Sequence, residues 1–121
     1  MYHDRLALTS EVFNSTAQGI LVTDAAGVIK SVNPAFTKLT GFTEAEVLGK
    51  QPNVLKSGRQ SKDFYGSMWS EIRAKGVWQG EIWNRKKSGE EYLQLLNISA
   101  VKDETGVDIR YVGTFSDITQ K

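Results

Sequence analysis

Hydrophobic residues recur at two different spacings along the chain, and these spacings predict where its helices and strands lie. Apolar residues at helical spacing predict an amphipathic helix over residues 4–16. Residues 19–23 and 28–32 are rich in β-branched side chains and flank a turn-forming stretch at 24–27, which is typical of a β-hairpin. A helix and two paired strands are therefore predicted for this part of the chain.

Two short helices are predicted after the hairpin, because helix-start signals stand there. An Asn-Pro step at 33–34 places an N-cap before a proline at the first helical position, and Gly41 is the expected stop. Thr43 and Glu46 have the spacing of a capping box, which begins a second helix. Gly49 is the expected end of that helix.

The second half of the chain has one longer helical stretch, followed by three strand-like stretches. A polar connection over residues 51–61 leads into a helix over 61–75, whose apolar residues share one face. Strands are then expected over 77–85, 91–101 and 108–119. Strands at both ends with helices between them favour an α+β fold, in which an antiparallel sheet is covered on one face.

Charge and hydropathy exclude two classes of partner. The 121 residues carry 15 Lys and Arg against 14 Asp and Glu, so the net charge is +1. A nearly neutral chain gives no electrostatic reason to bind nucleic acid or an acidic membrane surface. No apolar run approaches the ~20 residues of a membrane span. We therefore expect a cytoplasmic domain that contacts neither nucleic acid nor membrane.

The missing residue types exclude most enzyme chemistry. The chain has no cysteine and one histidine, His3, near its N-terminus. Disulfides, cysteine nucleophiles, histidine-based triads and multi-histidine metal sites are therefore excluded. No pair of carboxylates has a spacing that supports acid–base catalysis. The sequence thus predicts a domain that is not an enzyme and holds no metal.

A series of short motifs is spread over residues 13–119. They are Phe13-Asn14-Ser15-Thr16, Thr23-Asp24-Ala25-Ala26-Gly27, Asn33-Pro34-Ala35-Phe36, Trp78-Gln79-Gly80-Glu81, Asn84-Arg85-Lys86-Lys87-Ser88-Gly89 and Asp117-Ile118-Thr119. Each motif is short, but together their order and spacing resemble those of the PAS sensor domains of bacterial-type signalling proteins.

The resemblance implies a fold, a domain division and a function. The fold is a five-stranded antiparallel sheet in the order 2-1-5-4-3, with short helices that form one wall of a pocket. Residues 1–16 would form an N-terminal amphipathic helix, 17–119 the PAS domain, and 120–121 the start of a linker to an output domain. Such an output domain is often a kinase or a cyclic-di-nucleotide enzyme. The implied function is that of a non-catalytic sensory module for signal transduction.

The predicted inner face of the sheet is mostly apolar but carries two amides, Asn84 and Gln94. One interpretation is a filled core in which the amides bind backbone groups. The other is a ligand pocket, and the resemblance implies FAD, because flavin-binding relatives use the position of Asn84 and redox-sensing FAD relatives resemble this chain around Trp78. The candidate cofactor-binding residues are Trp78, Asn84, Gln94, Phe115 and Leu55.

Departures from the family patterns exclude two other cofactor chemistries. Pro52 stands where photoreceptor relatives have the cysteine that bonds to flavin, so cysteinyl–flavin photochemistry is excluded. Asn53 replaces the phosphate-binding arginine, and Phe115 replaces a glutamine of the fifth strand, which argues against tight FMN binding. Haem-binding relatives use an axial histidine in the helical region, and this chain has none there.

A basic group of residues stands in the polar connection and beside it. Either it is a solvated loop, or it contacts the pyrophosphate of a bound FAD. Both interpretations agree with the sequence. Its members are Lys50, Lys56, Arg59 and Lys62.

The end of the fifth strand is the expected exit of the signal. Because this strand runs antiparallel to the fourth, Asp117 should approach the turn that carries Arg85, Lys86 and Lys87. The resemblance implies a closing salt bridge there. Asp117, Arg85 and Lys86 are therefore the candidate exit residues.

The opposite face of the sheet is unusually apolar, with Trp83, Leu93 and Leu95 among its residues. Leu6 and Phe13 of the N-terminal helix could cover this face within one chain. Alternatively, two chains could press these faces together. We predict a homodimer with the helix at the same seam.

Overall fold

Five antiparallel strands form one sheet in the computed structural model, which describes residues 11–119. Their order across the sheet is the predicted one, 2-1-5-4-3, so the α+β fold is confirmed. The strands are β1 (Gly19–Asp24), β2 (Ile29–Val32), β3 (Val77–Arg85), β4 (Glu91–Lys102) and β5 (Asp108–Asp117).

The register of the strands defines an inner face. Ile98 of β4 lies opposite Trp78 on β3 and Gly113 on β5, while Asn84 lies opposite Tyr92. Paired residues project to the same side of a sheet. The stripe expected from strand alternation is therefore confirmed.

Helices cover this inner face, and most begin and end where the sequence signals indicate. The Asn33 side chain caps the first helix, which ends at Gly41 with a left-handed φ of 81°. The capping box between Thr43 and Glu46 is present, and Gly76 ends the longest helix. The helices are α1 (Pro34–Thr40), α2 (Glu44–Val47) and α3 (Lys62–Lys75), with a 3-10 helix (Pro52–Leu55) between α2 and α3.

Asn33 joins the first strand to the first helix. Its side-chain oxygen accepts hydrogen bonds from the backbone N–H groups of Ile20 (2.8 Å) and Phe36 (3.0 Å). Its side-chain nitrogen donates to the carbonyl of Gln18 at 2.9 Å. Because Asn33 is buried, these bonds satisfy an amide that would otherwise be costly to bury.

Two element boundaries in the helical region differ from the sequence prediction. The second helix ends at Val47 instead of reaching Gly49, because backbone bonds between Gly49 and Ile29 (3.0 Å) and between Ile29 and Lys50 (2.8 Å) draw the chain onto β2. The polar connection is not wholly irregular, since it contains the 3-10 helix. Long-range strand contacts and a proline start account for both differences.

Both terminal elements end earlier in the chain than predicted, the helix at residue 15 and β5 at Asp117. Residues 11–15 are helical, and residues 4–10 of the predicted N-terminal helix lie outside the described part. β5 ends at Asp117 because the Asp117 carboxylate binds the Thr119 amide and hydroxyl in a local turn.

A buried apolar cluster joins the helices to the sheet. Phe36 of α1 meets Phe115 of β5 edge-on, with ring centroids 6.0 Å apart. The buried cluster consists of Ile29, Val32, Phe36, Val47, Leu55 and Phe115.

Among residues 11–119 no helix is long and apolar enough to cross a membrane.

Close packing at the β1–β5 pair makes Gly19 sensitive to substitution. Gly19 lies opposite Phe115, and a Cβ atom built on it would be 2.4 Å from the Cζ atom of that ring. Gly19→Ala should lower the free energy of unfolding by about 1–3 kcal/mol, because the buried ring must move. Urea unfolding measures this change.

Gly66→Ala is the matched control. Gly66 lies inside α3, and nothing is within 4 Å of a Cβ atom built there. The same substitution should therefore stabilise the protein by about 1 kcal/mol through helix propensity. If both variants were as stable as the wild type, the packing argument would be wrong.

The turn between β3 and β4 holds the helical region against the sheet. The backbone N–H of Lys87 donates to the Thr40 carbonyl at 2.8 Å, and its ammonium group binds the Glu46 carboxylate. The hydrogen bond from Lys87, then that from the Thr43 amide, lowers the pKa of Glu46 from 4.5 to about 2. The ionised carboxylate is therefore the form that the folded protein favours.

This contact predicts a dependence of stability on pH. Because the pKa of Glu46 is lower in the folded state, its ionised form stabilises the fold above about pH 4.5, and this stabilisation is lost as pH falls towards 2. Glu46→Gln should lower the free energy of unfolding at neutral pH, and the difference from wild type should shrink in acid. Urea unfolding across this pH range tests it.

Glu104→Gln serves as the control, because Glu104 is exposed in the turn between β4 and β5. That variant should follow the wild-type pH profile. A constant difference between Glu46→Gln and wild type at every pH would contradict the ion-pair argument.

Candidate functional site

A cavity of about 330 Å³ lies between the inner face of the sheet and the wall formed by α3 and the 3-10 helix. Side chains alone do not fill this face. A mostly apolar cavity of this size is typical of a small-molecule site. Its apolar walls include Leu21, Leu55, Met68, Ile82, Leu96, Ile98 and Phe115.

Two buried amides form the polar part of the cavity wall. With the Asn84 amide oriented by its partners, its nitrogen donates to the carbonyls of Leu55 and Trp83, each at 3.1 Å. Its oxygen then accepts from the Gln94 side-chain nitrogen at 3.1 Å. The amides are therefore held by the protein but not saturated: Asn84 keeps one acceptor site on its oxygen, and Gln94 keeps one N–H donor and one acceptor site.

Tyr92 supports this pair from behind. Its hydroxyl donates to the side-chain oxygen of Gln94 at 2.7 Å, and the tyrosine is 1% exposed. Burial, and then the negative charge of Asp117, raise the pKa of the Tyr92 phenol. The phenol therefore stays protonated and serves as a hydrogen-bond donor.

Aromatic residues from α3 and β5 line another part of the cavity. The rings of Trp69 and Tyr111 meet edge-on, with centroids 5.1 Å apart. The Lys56 ammonium lies 4.2 Å from the centre of the Tyr65 ring. Aromatic surface with a single cation beside it suits a flat ligand that carries negative charge at one end.

Four of the five candidate cofactor residues line the cavity: Leu55, Asn84, Gln94 and Phe115. Trp78 does not. Its ring covers Gly80 and meets Phe64 edge-on at 6.0 Å. Although Trp78 shares a face with Asn84, the two stand ~20 Å apart along an extended strand.

The basic residues of the connection do not act as one group. The Arg59 guanidinium lies 4.1 Å from the centre of the Trp83 ring and also pairs with Glu91. Lys56 alone of the four basic residues lines the cavity.

At the end of β5, Asp117 contacts the turn between β3 and β4. The Lys86 ammonium lies 3.6 Å from the Asp117 carboxylate, whereas Arg85 turns to Glu91 and to the Ser57 carbonyl. The difference follows from strand alternation, because Arg85 projects to the outer face. Of the two basic residues predicted to meet Asp117, the structure therefore brings Lys86 to it.

Asp117 also organises the last described residues. Its carboxylate accepts from the Thr119 amide at 2.9 Å and from the Thr119 hydroxyl at 2.7 Å. Partial burial opposes ionisation, but these hydrogen bonds and the charge of Lys86 outweigh it and hold the pKa of Asp117 below its usual value. Thr119 in turn accepts from the Leu93 amide at 2.9 Å.

The outer face of the sheet has a partly covered apolar stripe. Trp83, Leu93 and Leu95 are half-buried, as is Phe13. Leu6 lies outside the described residues. Arg59 covers one side of Trp83, so less of this indole is available for association than its position in the sheet suggests.

Sequence reasoning missed the cavity residues that come from α3 and the role of Tyr92. Met68, Trp69 and Tyr65 lie on the apolar stripe of α3, but nothing in that pattern separates residues that line a cavity from residues that fill a core. Strand alternation did place Tyr92 beside Gln94. Its hydroxyl was the signal, because a buried tyrosine oxygen needs a partner.

The described residues offer no conventional catalytic or metal centre. Among residues 11–119, no three His, Cys, Asp or Glu side chains are grouped so that they could hold a metal ion. The carboxylates with lowered pKa values, Asp24, Glu46, Asp103 and Asp117, are engaged in turns, caps or ion pairs. The cavity can bind and orient a molecule.

Comparison with known proteins identifies the family. The model of the family described as PAS domain matches residues 17–120. The chain belongs to the PAS domain family. A PAS domain from Colwellia psychrerythraea, solved as a crystal structure, has the same fold, with a TM-score of 0.91 at 24% identity over 98% of this chain and 100% of that one.

Two curated relatives show the kind of protein in which similar PAS domains occur. The nitrogen fixation regulatory protein of Klebsiella oxytoca is 31% identical over 100 residues, which cover 83% of this chain and 20% of that protein. A blue-light-activated histidine kinase of Rhizobium johnstonii is 31% identical over 120 residues, which cover 97% of this chain and 35% of that protein. This chain is thus a PAS sensory module similar to single domains within larger regulators and kinases.

Proposed function

We propose that this PAS domain is a non-catalytic sensory module. It detects a small molecule in the cavity and passes the change through Asp117, Ile118 and Thr119 to an output domain of the same chain. The cavity carries the proposal, because its apolar walls surround two amides that are held but not saturated. We place the module in the cytoplasm, where its output domain would act.

FAD is the candidate ligand that the residues fit best. A flavin ring is flat and apolar, and one edge carries alternating donors and acceptors, which Asn84 and Gln94 can match. Leu55 and Phe115 offer apolar contact, and Lys56 is the cation placed to meet a phosphate.

A bound flavin would supply redox sensitivity, because it accepts and releases electrons. The residues of this chain would orient its polar edge and exclude water from the ring. Since the chain has no cysteine, no cysteinyl–flavin bond can form.

The flavin prediction is tested by spectroscopy and binding. Protein purified without added ligand should show flavin absorption bands, or should acquire them when FAD is added. Asn84→Ala should weaken FAD binding about tenfold or more, because the polar edge loses a partner and Gln94 loses its support. Titration followed by flavin fluorescence measures the affinity.

Gln79→Ala is the matched control, because Gln79 is an exposed amide on the outer side of the same strand. It should bind FAD as the wild type does. Equal FAD affinities of the wild type and Asn84→Ala would mean that Asn84 does not bind the flavin. Absence of FAD binding to the wild type would reject FAD as the ligand.

We further propose that the module forms a homodimer through the outer face of the sheet. The half-buried stripe of Trp83, Leu93 and Leu95 supports this interpretation. Burying ~500 Å² of apolar surface on each chain would contribute roughly 12 kcal/mol per chain, before the costs of association are subtracted. Those costs consume most of the gain, so the dimer should be of modest affinity.

Leu95→Glu tests the dimer, because it places a charge in the middle of this stripe. Light scattering should give a dimer for the wild type and a monomer for Leu95→Glu. Val107→Glu adds the same charge in an exposed turn and should remain a dimer. A wild type that stays monomeric at high concentration would contradict the proposal.

A further inference from the structure

We propose that Tyr92 is a positioning residue that links the state of the cavity to the Asp117–Thr119 exit. A ligand that turns the Gln94 amide toward itself would break the bond from the Tyr92 hydroxyl, and the released hydroxyl would disturb the contacts of Asp117. The inference rests on the proposed sensory function, but it requires no particular ligand.

On the cavity side, the hydrogen bonds run in one direction. Both hydrogens of the Asn84 nitrogen are taken by the carbonyls of Leu55 and Trp83. The Asn84 oxygen must therefore face the Gln94 nitrogen, which leaves the Gln94 oxygen facing the Tyr92 hydroxyl at 2.7 Å. A change at either amide thus reaches Tyr92 through a defined partner.

On the exit side, the same tyrosine lies beside the closing ion pair. The Lys86 ammonium is 5.4 Å from the centre of the Tyr92 ring and 3.6 Å from the Asp117 carboxylate. Asp117 in turn holds the amide and hydroxyl of Thr119. The cavity amides, Tyr92, Lys86, Asp117 and Thr119 therefore form a continuous series of contacts.

Burial makes the Tyr92 hydroxyl respond to loss of its partner. Because Tyr92 is 1% exposed, its hydroxyl cannot bind bulk water when the Gln94 amide turns away from it. An unpaired buried hydroxyl is unfavourable. Asp117 is the cross-strand partner of Gln94, which accepts from the Tyr92 hydroxyl, and its carboxylate pairs with the Lys86 ammonium beside the Tyr92 ring. A Tyr92–Asp117 hydrogen bond would compete with the bonds that Asp117 makes to Thr119. Cavity occupancy would therefore favour a second arrangement of the exit, in which Tyr92 replaces Thr119 as a partner of Asp117.

A second route between the same residues must be separated from this one. Gln94 and Asp117 are direct partners across β4 and β5. A change at Gln94 could reach Asp117 through the strand pair without involving Tyr92. The two routes differ in their need for the Tyr92 hydroxyl.

A double-mutant cycle in the protein without added ligand tests the inference. Gln94→Met removes the amide at nearly constant size, and Tyr92→Phe removes the hydroxyl. Hydrogen exchange of the Thr119 amide, measured by NMR, reports on the exit. When Tyr92 is present, Gln94→Met should change this exchange rate about fivefold. When Tyr92 is replaced by Phe, the same substitution should change it less than about twofold, because a single hydrogen bond carries the coupling.

Two further backgrounds make the cycle specific. Tyr111→Phe removes another cavity tyrosine hydroxyl, which lies 3.4 Å from Asp108, and the effect of Gln94→Met should persist there. Lys86→Gln removes a cation that holds Asp117, and the effect should persist there too, because the competing bond runs from the Tyr92 hydroxyl to Asp117. If Tyr92→Phe proves unstable, the NMR shifts of the Tyr92 ring in Gln94→Met report whether the hydroxyl has changed its partner, and unchanged shifts would overturn the inference.

Each outcome decides the proposal. An equal effect of Gln94→Met with and without the Tyr92 hydroxyl would assign the coupling to the strand pair and overturn the inference. No effect in the wild type would overturn it too. A separate FAD titration distinguishes failure of the flavin proposal from failure of the Tyr92 proposal. If the protein does not bind FAD, the flavin candidate is rejected, and the result of the ligand-free cycle is unchanged.

Discussion

The position of β5 in the middle of the sheet is the constraint on which the rest of this PAS domain depends. The last strand in sequence pairs with β1 on one side and β4 on the other, so backbone hydrogen bonds hold both of its edges. Phe115 of this strand fills the place that Gly19 leaves open and meets Phe36 of α1. The helical wall, the first hairpin and the last two strands therefore share one buried contact region.

The same strand carries part of the cavity wall and Asp117, where the proposed exit begins. Gly113 and Phe115 line the cavity, and Asp117 follows two residues later on the same side. The cavity and Asp117 are close in this molecule because of its topology.

Buried polar groups give the cavity its chemical character. Asn84, Gln94 and Tyr92 are costly to bury unless they are bonded, and each has a partner. Two of those partners are backbone carbonyls, of Leu55 and Trp83, which belong to different elements. The amide orientation is thus a property of the assembled fold, and it decides which donors and acceptors a ligand meets.

Much of the fold could be predicted from local signals. The caps at Asn33 and Thr43, the stop at Gly76 and the strand periods are short-range features, because a side chain satisfies its neighbour's backbone or follows a fixed repeat. The predicted helix boundaries were wrong where a distant strand binds the chain. Backbone hydrogen bonds with Ile29 hold Gly49 and Lys50 outside the second helix. Pairing partners far along the chain leave no local signal of that kind.

For the candidate site, sequence alone determined the residue types that share the inner face, including Asn84, Gln94 and Phe115, since alternation along a strand is fixed by backbone geometry. It also determined what cannot occur, because a chain without cysteine forms no cysteinyl–flavin bond. Only the tertiary structure decided that Trp78 packs on Phe64, outside the cavity, and that Lys86 meets Asp117. Those choices depend on how α3 and the turns pack against the sheet, which is a balance of many weak contacts between residues distant in sequence.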